Sequence, residues 1–261
     1  MEQWFAEQNE FLIFVFLFLT LVLIAEVGHR IAGWVRASHA GTAIEIQSIQ
    51  GAVLGLLALL LGFTFAMAAE RFQARKDLLR DESNAIGTVA LRTALLPEPQ
   101  RSNIVKLLPG YVDTRIELQQ KGYLPDAVRD VSARAGKLQA QIWAEAVAAA
   151  ERAPQSVMVA LFVSALNDMI DMDGKQLAAL RNRIPVPIFL LLFLVAFVAV
   201  GITGYGSGQR HRESASLTVL VSLLIAAVII LVVDLHRPTR GLIALDLSSL
   251  TQVRLNLPQL R

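Results

Sequence analysis

The chain contains no cysteine, which excludes disulfides, thiolate zinc sites and cysteine nucleophiles. Histidine is scarce, and all four copies (His29, His39, His211 and His236) lie at or beyond the ends of the long apolar runs. A haem or quinone protein would need axial ligands inside those runs, so that reading is weak. There is no GxSxG, no HExxH, no phosphate-binding glycine loop and no paired acid–base set. The chain is therefore read as a non-enzyme with no cofactor, and with neither catalytic nor metal residues. Charge is missing from four long stretches. An unpaired charge at mid-membrane would cost at least ~2.5–3.5 kcal/mol, so charge-free runs support spans and argue against a proton-coupled pump or antiporter.

What is present is apolar. Hydrophobic residues make up 54% of the chain and mean hydropathy is +0.51, values ordinary for a multi-pass membrane protein. Net charge is +2, and 16 of the 24 Lys and Arg fall between residues 70 and 183, offset by 14 Asp and Glu there. That balance describes a solvated helical surface rather than a nucleic-acid patch.

The organising stretch is Gly51 to Arg92. Its first 19 residues, Gly51 to Ala69, are apolar throughout, long enough for the hydrocarbon core of a bilayer. The pattern then turns charged with no Pro or turn signal. Phe72, Leu79 and Ile86 continue one stripe at seven-residue spacing, so the span is expected to run on as an extramembrane helical stalk. Gly51, Gly55, Ala58, Gly62, Ala66 and Ala69 form a small-residue stripe of the kind that lets helices associate closely in lipid. Leu59 and Phe63 occupy neighbouring bulky rows. Packing alone would account for both rows; several copies of this helix around a pore is the sharper reading.

The remaining spans are expected at about 11–32, 184–205 and 215–233. Phe11 to Ala25 has neither the basic start nor the small-residue cleavage site of a secretory signal, so it is expected to stay as the first helix, after an interfacial start at residues 1–10. Glu26 and His29 lie three apart on that helix and could share a metal or a proton, although an interfacial pair is the plainer reading. Pro97 and Pro99 end the stalk. Helices are expected over 100–121, 126–152 and 155–181, with no β-alternation. Asp168, Asp171 and Asp173 lack the later Gly and closing Glu of a calcium loop, and are read as a solvated face or helix end. Pro185 and Pro187 suit the first turn of the third span. In the 234–261 tail, Asp234 and Arg237 could pair at an interface. Leu250, Val253, Leu255 and Leu257 suggest docking on the helical domain. The expected class is all-α, with four transmembrane helices and an extramembrane helical domain at 70–183.

Gly62-Phe63, followed by Arg71-Phe72 and Ala74-Arg75-Lys76, resembles the second helix of bestrophins. More of the chain resembles the bacterial bestrophin-like membrane family. That likeness rests on Ala69-Glu70-Arg71-Phe72 with Arg75, on Glu82-Ser83-Asn84-Ala85-Ile86-Gly87-Thr88 with Arg92, and on Asp234-Leu235-His236-Arg237-Pro238 and Gly241-Leu242-Ile243. The resemblance implies a homo-oligomeric, bestrophin-like homopentamer in the bacterial inner membrane that conducts inorganic ions, anions above all. Its pore neck would be at Leu59 and Phe63 and its pore mouth at Arg71, Phe72 and Arg75. Gly55 stands where a third neck residue would be, so the neck would be shorter. Gln73 replaces the second aromatic after the Arg, and the tail has no acidic cluster like a calcium clasp. The alternative is a non-conducting sensor or scaffold that binds a partner through the 70–183 domain. Glu82, Asn84 and Arg92 are candidates for a buried polar network in either case.

Four spans put both termini and the 70–183 domain on one face. The short connections carry Arg30, Arg36, Arg210 and Arg212, which by the positive-inside rule would place them in the cytoplasm. Arg71, Arg75, Lys76, Arg80, Arg181, Arg183, Arg237 and Arg240 crowd the opposite face. These flanks of three spans tip the reading, by a narrow margin, to a cytoplasmic domain and termini, with the periplasmic arrangement left open.

Overall fold

The fold is that of a computed structural model, which describes residues 10–36, 43–121, 124–182, 184–209, 215–236 and 243–257. Among these the regular structure is entirely helical: α1 Glu10–Arg36, α2 Ala43–Arg92, a 3₁₀ turn Thr93–Leu95, α3 Gln100–Lys121, α4 Pro125–Arg152, α5 Val157–Arg181, α6 Val186–Gln209, α7 Ala215–His236 and α8 Ser248–Asn256. Among the described residues four helices are long and apolar enough to cross a membrane: α1, α2, α6 and α7. The helices that carry the first, third and fourth apolar runs end at Arg36, Gln209 and His236, because polar residues do not interrupt the backbone ladder. The interfacial start at 1–9, the basic link Arg210 and Arg212, and the tail motif from Arg237 to Leu242 lie outside the described residues.

The chain divides into two compact units. The first comprises residues 1–70 and 184–236. Its core is a buried row on α1 (Leu17, Leu21, Ala25) against Leu192, Ala196, Ala199 and Val200 of α6 and Ile225, Ala226 and Ile229 of α7, with Leu57 of α2. The three- and four-residue spacings put each set on one helical face. Backbones approach most closely where α1 crosses α6. A Cβ built on Gly28 would stand 2.3 Å from the carbonyl oxygen of Gly201, and one on Gly208 would stand 2.6 Å from that of His29. Among the described residues, the closest backbone-to-backbone glycine contacts are those between α1 and α6. Hydroxyls inside this unit are satisfied by the preceding turn: Thr64 Oγ1 donates to the Leu60 carbonyl (2.8 Å), Thr203 Oγ1 to Ala199 (2.8 Å) and Ser222 Oγ to Thr218 (2.9 Å). This is how such residues are accommodated where water is absent.

The second unit comprises residues 71–183 and 237–261. Leu79, Ile86, Val89 and Ala90 of α2 share a core with Ile104, Leu108, Tyr111 and Val112 of α3, Ala135, Ile142 and Ala146 of α4, and Phe162, Leu166 and Met169 of α5. Helix α2 stops where prolines demand it: Leu96, before Pro97, is extended at φ −88° and ψ 150°, the conformation that a following proline favours. Helix α5 starts at a cap in which Ser156 Oγ accepts from the Val159 N–H at 3.3 Å, a standard way to satisfy a first-turn donor. The tail helix α8 packs on α3 through Leu250 and Leu257, and Arg254 forks onto both carboxylate oxygens of Asp113 at 2.7 and 3.1 Å. Leu255 takes no part in that packing; it is 67% exposed.

Candidate functional site

Helix α2 carries every candidate residue, so its faces decide what each can do. In the first unit, Leu59 and Phe63 are 55% and 61% exposed. On the same helix, nothing lies within 4 Å of a Cβ built on Gly51, Gly55 or Gly62. Among the described residues, none from its own chain packs against the glycines of this face. Arg71 and Phe72, further along, are half-buried. The Arg71 Nη1 is shielded from solvent and makes no hydrogen bond. Arg75 is buried and engaged.

Beyond Arg75 the apolar stripe of α2 is Leu79, Ile86 and Val89, all buried, and Glu82 stands in that row. Helix α3 has the same irregularity: Ile104, Leu108, Tyr111, Arg115 and Leu118 form its buried face. Helix α5 has Asp173 and Gln176 between buried Met169 and Leu180. The three charges meet. Arg115 donates from Nε to Glu82 Oε1 and from Nη1 to Asp173 Oδ1. The side chains of Arg115 and Glu82 are 0% exposed and that of Asp173 is 21% exposed. Gln139 of α4 donates to Asp173 Oδ2 at 3.1 Å and reaches the Tyr111 hydroxyl at 3.4 Å. Gln119 donates to Gln176 Oε1 at 3.3 Å. Four helices are thus joined at one largely buried polar point.

Burial pushes the Glu82 carboxyl above its ordinary range, against the pull of Arg115. Burial by itself would depress the Arg115 guanidinium, but Glu82, Tyr111 and Asp173 outweigh it and hold the charge in place. Burial also raises the Tyr111 hydroxyl, so it stays protonated. Glu82 Oε2, Arg115 Nη2 and Gln176 Nε2 are buried without a hydrogen bond.

The network expected at Glu82, Asn84 and Arg92 therefore forms with different members. Asn84 is exposed, because two residues along a helix turn a side chain to the opposite side. Arg92 is half-buried and donates from Nη1 to the Leu161 carbonyl at 2.7 Å, tying the end of α2 to α5 instead. Asp173 is not part of a solvated face, whereas Asp168 and Asp171 are exposed. Arg115, Tyr111, Gln139 and Gln176 escaped the sequence reading. The available signal was charge sitting in an otherwise apolar helical stripe, and it is as legible at Arg115 as at Glu82. The rest of the Glu82–Thr88 stretch is accounted for by packing. Ile86 is core, Gly87 faces Val253, and Thr88 bonds back to the Asn84 carbonyl at 2.9 Å.

Glu26 and His29 do not share a ligand position. Glu26 pairs with Arg30 at 2.7 Å, and His29 Nδ1 lies 3.3 Å from Ser207 Oγ. Among the described residues no group of three or more metal-ligating side chains occurs.

Apolar spans joined to a helical bundle with a charged centre define a multi-pass membrane protein. The chain belongs to the bestrophin-like family, whose domain matches residues 15–250. Its fold is similar to that of a bacterial bestrophin homolog from Klebsiella pneumoniae, at 16% identity and a TM-score of 0.75, covering 94% of this chain and 97% of that one. A point variant of that homolog matches at 18% identity and a TM-score of 0.74, over 94% and 98% of the two chains. No functionally curated protein matches the chain.

Proposed function

We propose that this chain is one subunit of a homo-oligomeric, anion-conducting channel of the bacterial inner membrane, a homopentamer by its resemblance to bestrophins. Copies of α2 would surround the pore. Leu59 and Phe63 would form a hydrophobic neck that gates by dewetting: narrow and apolar, it resists hydrated ions until it widens. Arg71, Phe72 and Arg75 would line the mouth, where the two guanidinium groups raise the local anion concentration. The 70–183 domain and both termini would be cytoplasmic, in keeping with the basic flanks of three spans.

The observation that carries this reading is the open face of α2. Bulky Leu59 and Phe63 stand exposed beside glycines that meet nothing among the described residues of their own chain. A glycine row usually marks a close helix neighbour in lipid, and here the neighbour would be another copy. The fold shared with bacterial bestrophin homologs supports the same assignment.

The test is particle symmetry of the purified protein, followed by chloride efflux from anion-loaded liposomes. An axially symmetric particle with a central opening and measurable efflux are the expected results. A monomer or dimer without an axial opening, together with no efflux, would reject the channel in favour of a non-conducting sensor or scaffold.

A further inference from the structure

Two carboxyl groups and one guanidinium meet inside the second unit: fully buried Glu82 from α2 and Arg115 from α3, and partly exposed Asp173 from α5. With all three ionised, the cluster carries one uncompensated negative charge. Among the described residues the other groups facing it are neutral: the Tyr111 hydroxyl of α3 and the amides of Gln139 on α4 and Gln176 on α5. An uncompensated buried charge is costly, and a proton on one carboxyl removes it.

Glu82 is the carboxyl placed to take that proton. It is the more deeply buried of the two. Both Asp173 oxygens already accept, from Arg115 and Gln139, whereas Glu82 Oε2 accepts nothing. The Gln176 amide lies beside the Glu82 carboxyl. By turning over, an amide can either donate to a carboxylate or accept from the protonated acid. The cluster can therefore accommodate both states without new residues.

We propose that Glu82 is a proton-operated latch on the extramembrane part of α2: protonated, it lets Arg115 hold α2, α3 and α5 together; deprotonated, it leaves two carboxylates on one guanidinium and loosens α2 at that point. The proton leaves to solvent. The sign follows from linkage. Burial raises the Glu82 carboxyl in the folded chain, so the folded state binds the proton more tightly than the unfolded one. That stabilisation is fully present below the ordinary glutamate range and is lost as pH rises through the raised folded value.

The experiment is hydrogen exchange by mass spectrometry on the full-length protein in detergent, following peptides over residues 79–90 of α2 and, for reference, 192–200 of α6. In the unsubstituted chain, the protection factor of the α2 segment should be severalfold lower at about pH 8 than at about pH 5. The α6 segment should not change. Glu82→Gln should abolish the difference. If that variant does not fold, Glu82→Leu decides: it also removes the titrating group while fitting the apolar row of α2, so the α2 segment should be indifferent to pH. A pH-independent α2 segment in the unsubstituted chain, or a pH dependence that survives in the variants, would overturn the latch. The readout does not depend on conduction. A chain that shows the exchange behaviour but no chloride efflux at any pH would reject the channel reading and leave the latch standing. Efflux whose pH dependence vanishes in Glu82→Gln would extend the latch to the pore.

Discussion

Gly204 of α6 lies so close to α1 that a methyl group placed on it would stand 2.0 Å from the carbonyl oxygen of Ala25. Backbone, not a flexible side chain, is in the way, so the crossing cannot relax without moving a helix. Gly204→Ala should therefore destabilise the spanning unit by about 1–3 kcal/mol, the range for forced overpacking, read as a lower melting temperature in detergent. An unchanged melting temperature would mean that the α1–α6 crossing is looser than these distances imply.

The glycines of α2 predict the opposite pattern. Gly55 and Gly62 have open space around them in the chain, so Gly55→Ala and Gly62→Ala should leave subunit melting unaltered. If another copy of α2 packs there, the same changes should alter particle mass or symmetry. Unaltered melting combined with an unaltered assembly would show that no helix approaches this face.

At the proposed neck, replacing Leu59 and Phe63 together by Ala would exchange two exposed bulky side chains for methyl groups. A wider, less effectively dewetted constriction should conduct more readily, so chloride efflux from liposomes should rise. Efflux identical to that of the unsubstituted protein would count against a neck at these residues.

Arg115 is the residue whose loss should harm the second unit most. It bridges two carboxyl groups and is itself fully buried. Removing one partner of a buried ion pair costs about 3–5 kcal/mol, because the remaining charge is left unpaired. Arg115→Leu should therefore lower the melting temperature sharply. Adding Glu82→Leu and Asp173→Asn to it should restore most of the loss; failure to restore any would mean that Arg115 acts through packing alone.

The tail separates packing from charge. Leu250 is 0% exposed, and Leu250→Ala should cost about 2–5 kcal/mol as a buried large-to-small change. The Arg254–Asp113 fork is partly solvated, at 35% and 55% exposed, and Arg254→Ala should cost no more than about 1 kcal/mol. Limited proteolysis of the tail would rank them. Equal susceptibility in the two variants would contradict that order.

Much of the architecture could be read from sequence because it depends on local pattern. Charge-free runs at Phe11–Ala25, Gly51–Ala69 and Ala215–Val233 mark spans through transfer free energy alone. Pro97, sitting past the stalk, ends α2 for steric reasons that involve only its neighbour. The Glu82–Thr88 stretch was recognisable too, but its partners were not. Sequence spacing relates residues on one helix, and so it groups Asn84 and Arg92 with Glu82, since all three lie on α2. The groups that meet Glu82 come from α3 and α5. Likewise, the stripe from Gly51 to Ala69 showed that some helix could approach α2 but not whether that helix belongs to the same chain.

From sequence alone came the membrane class, the all-helical fold and the resemblance to a family, because hydropathy and helical period are properties of consecutive residues. Tertiary structure decided the rest. It brought Arg115 to Glu82 across 33 positions and to Asp173 across 58, gave the close glycine contacts to α1 and α6, and left the α2 glycines open. Those outcomes turn on how far each helix is rotated about its axis when it packs. That angle is set by the fit of all the side chains along the contact together, and no single stretch of sequence contains it.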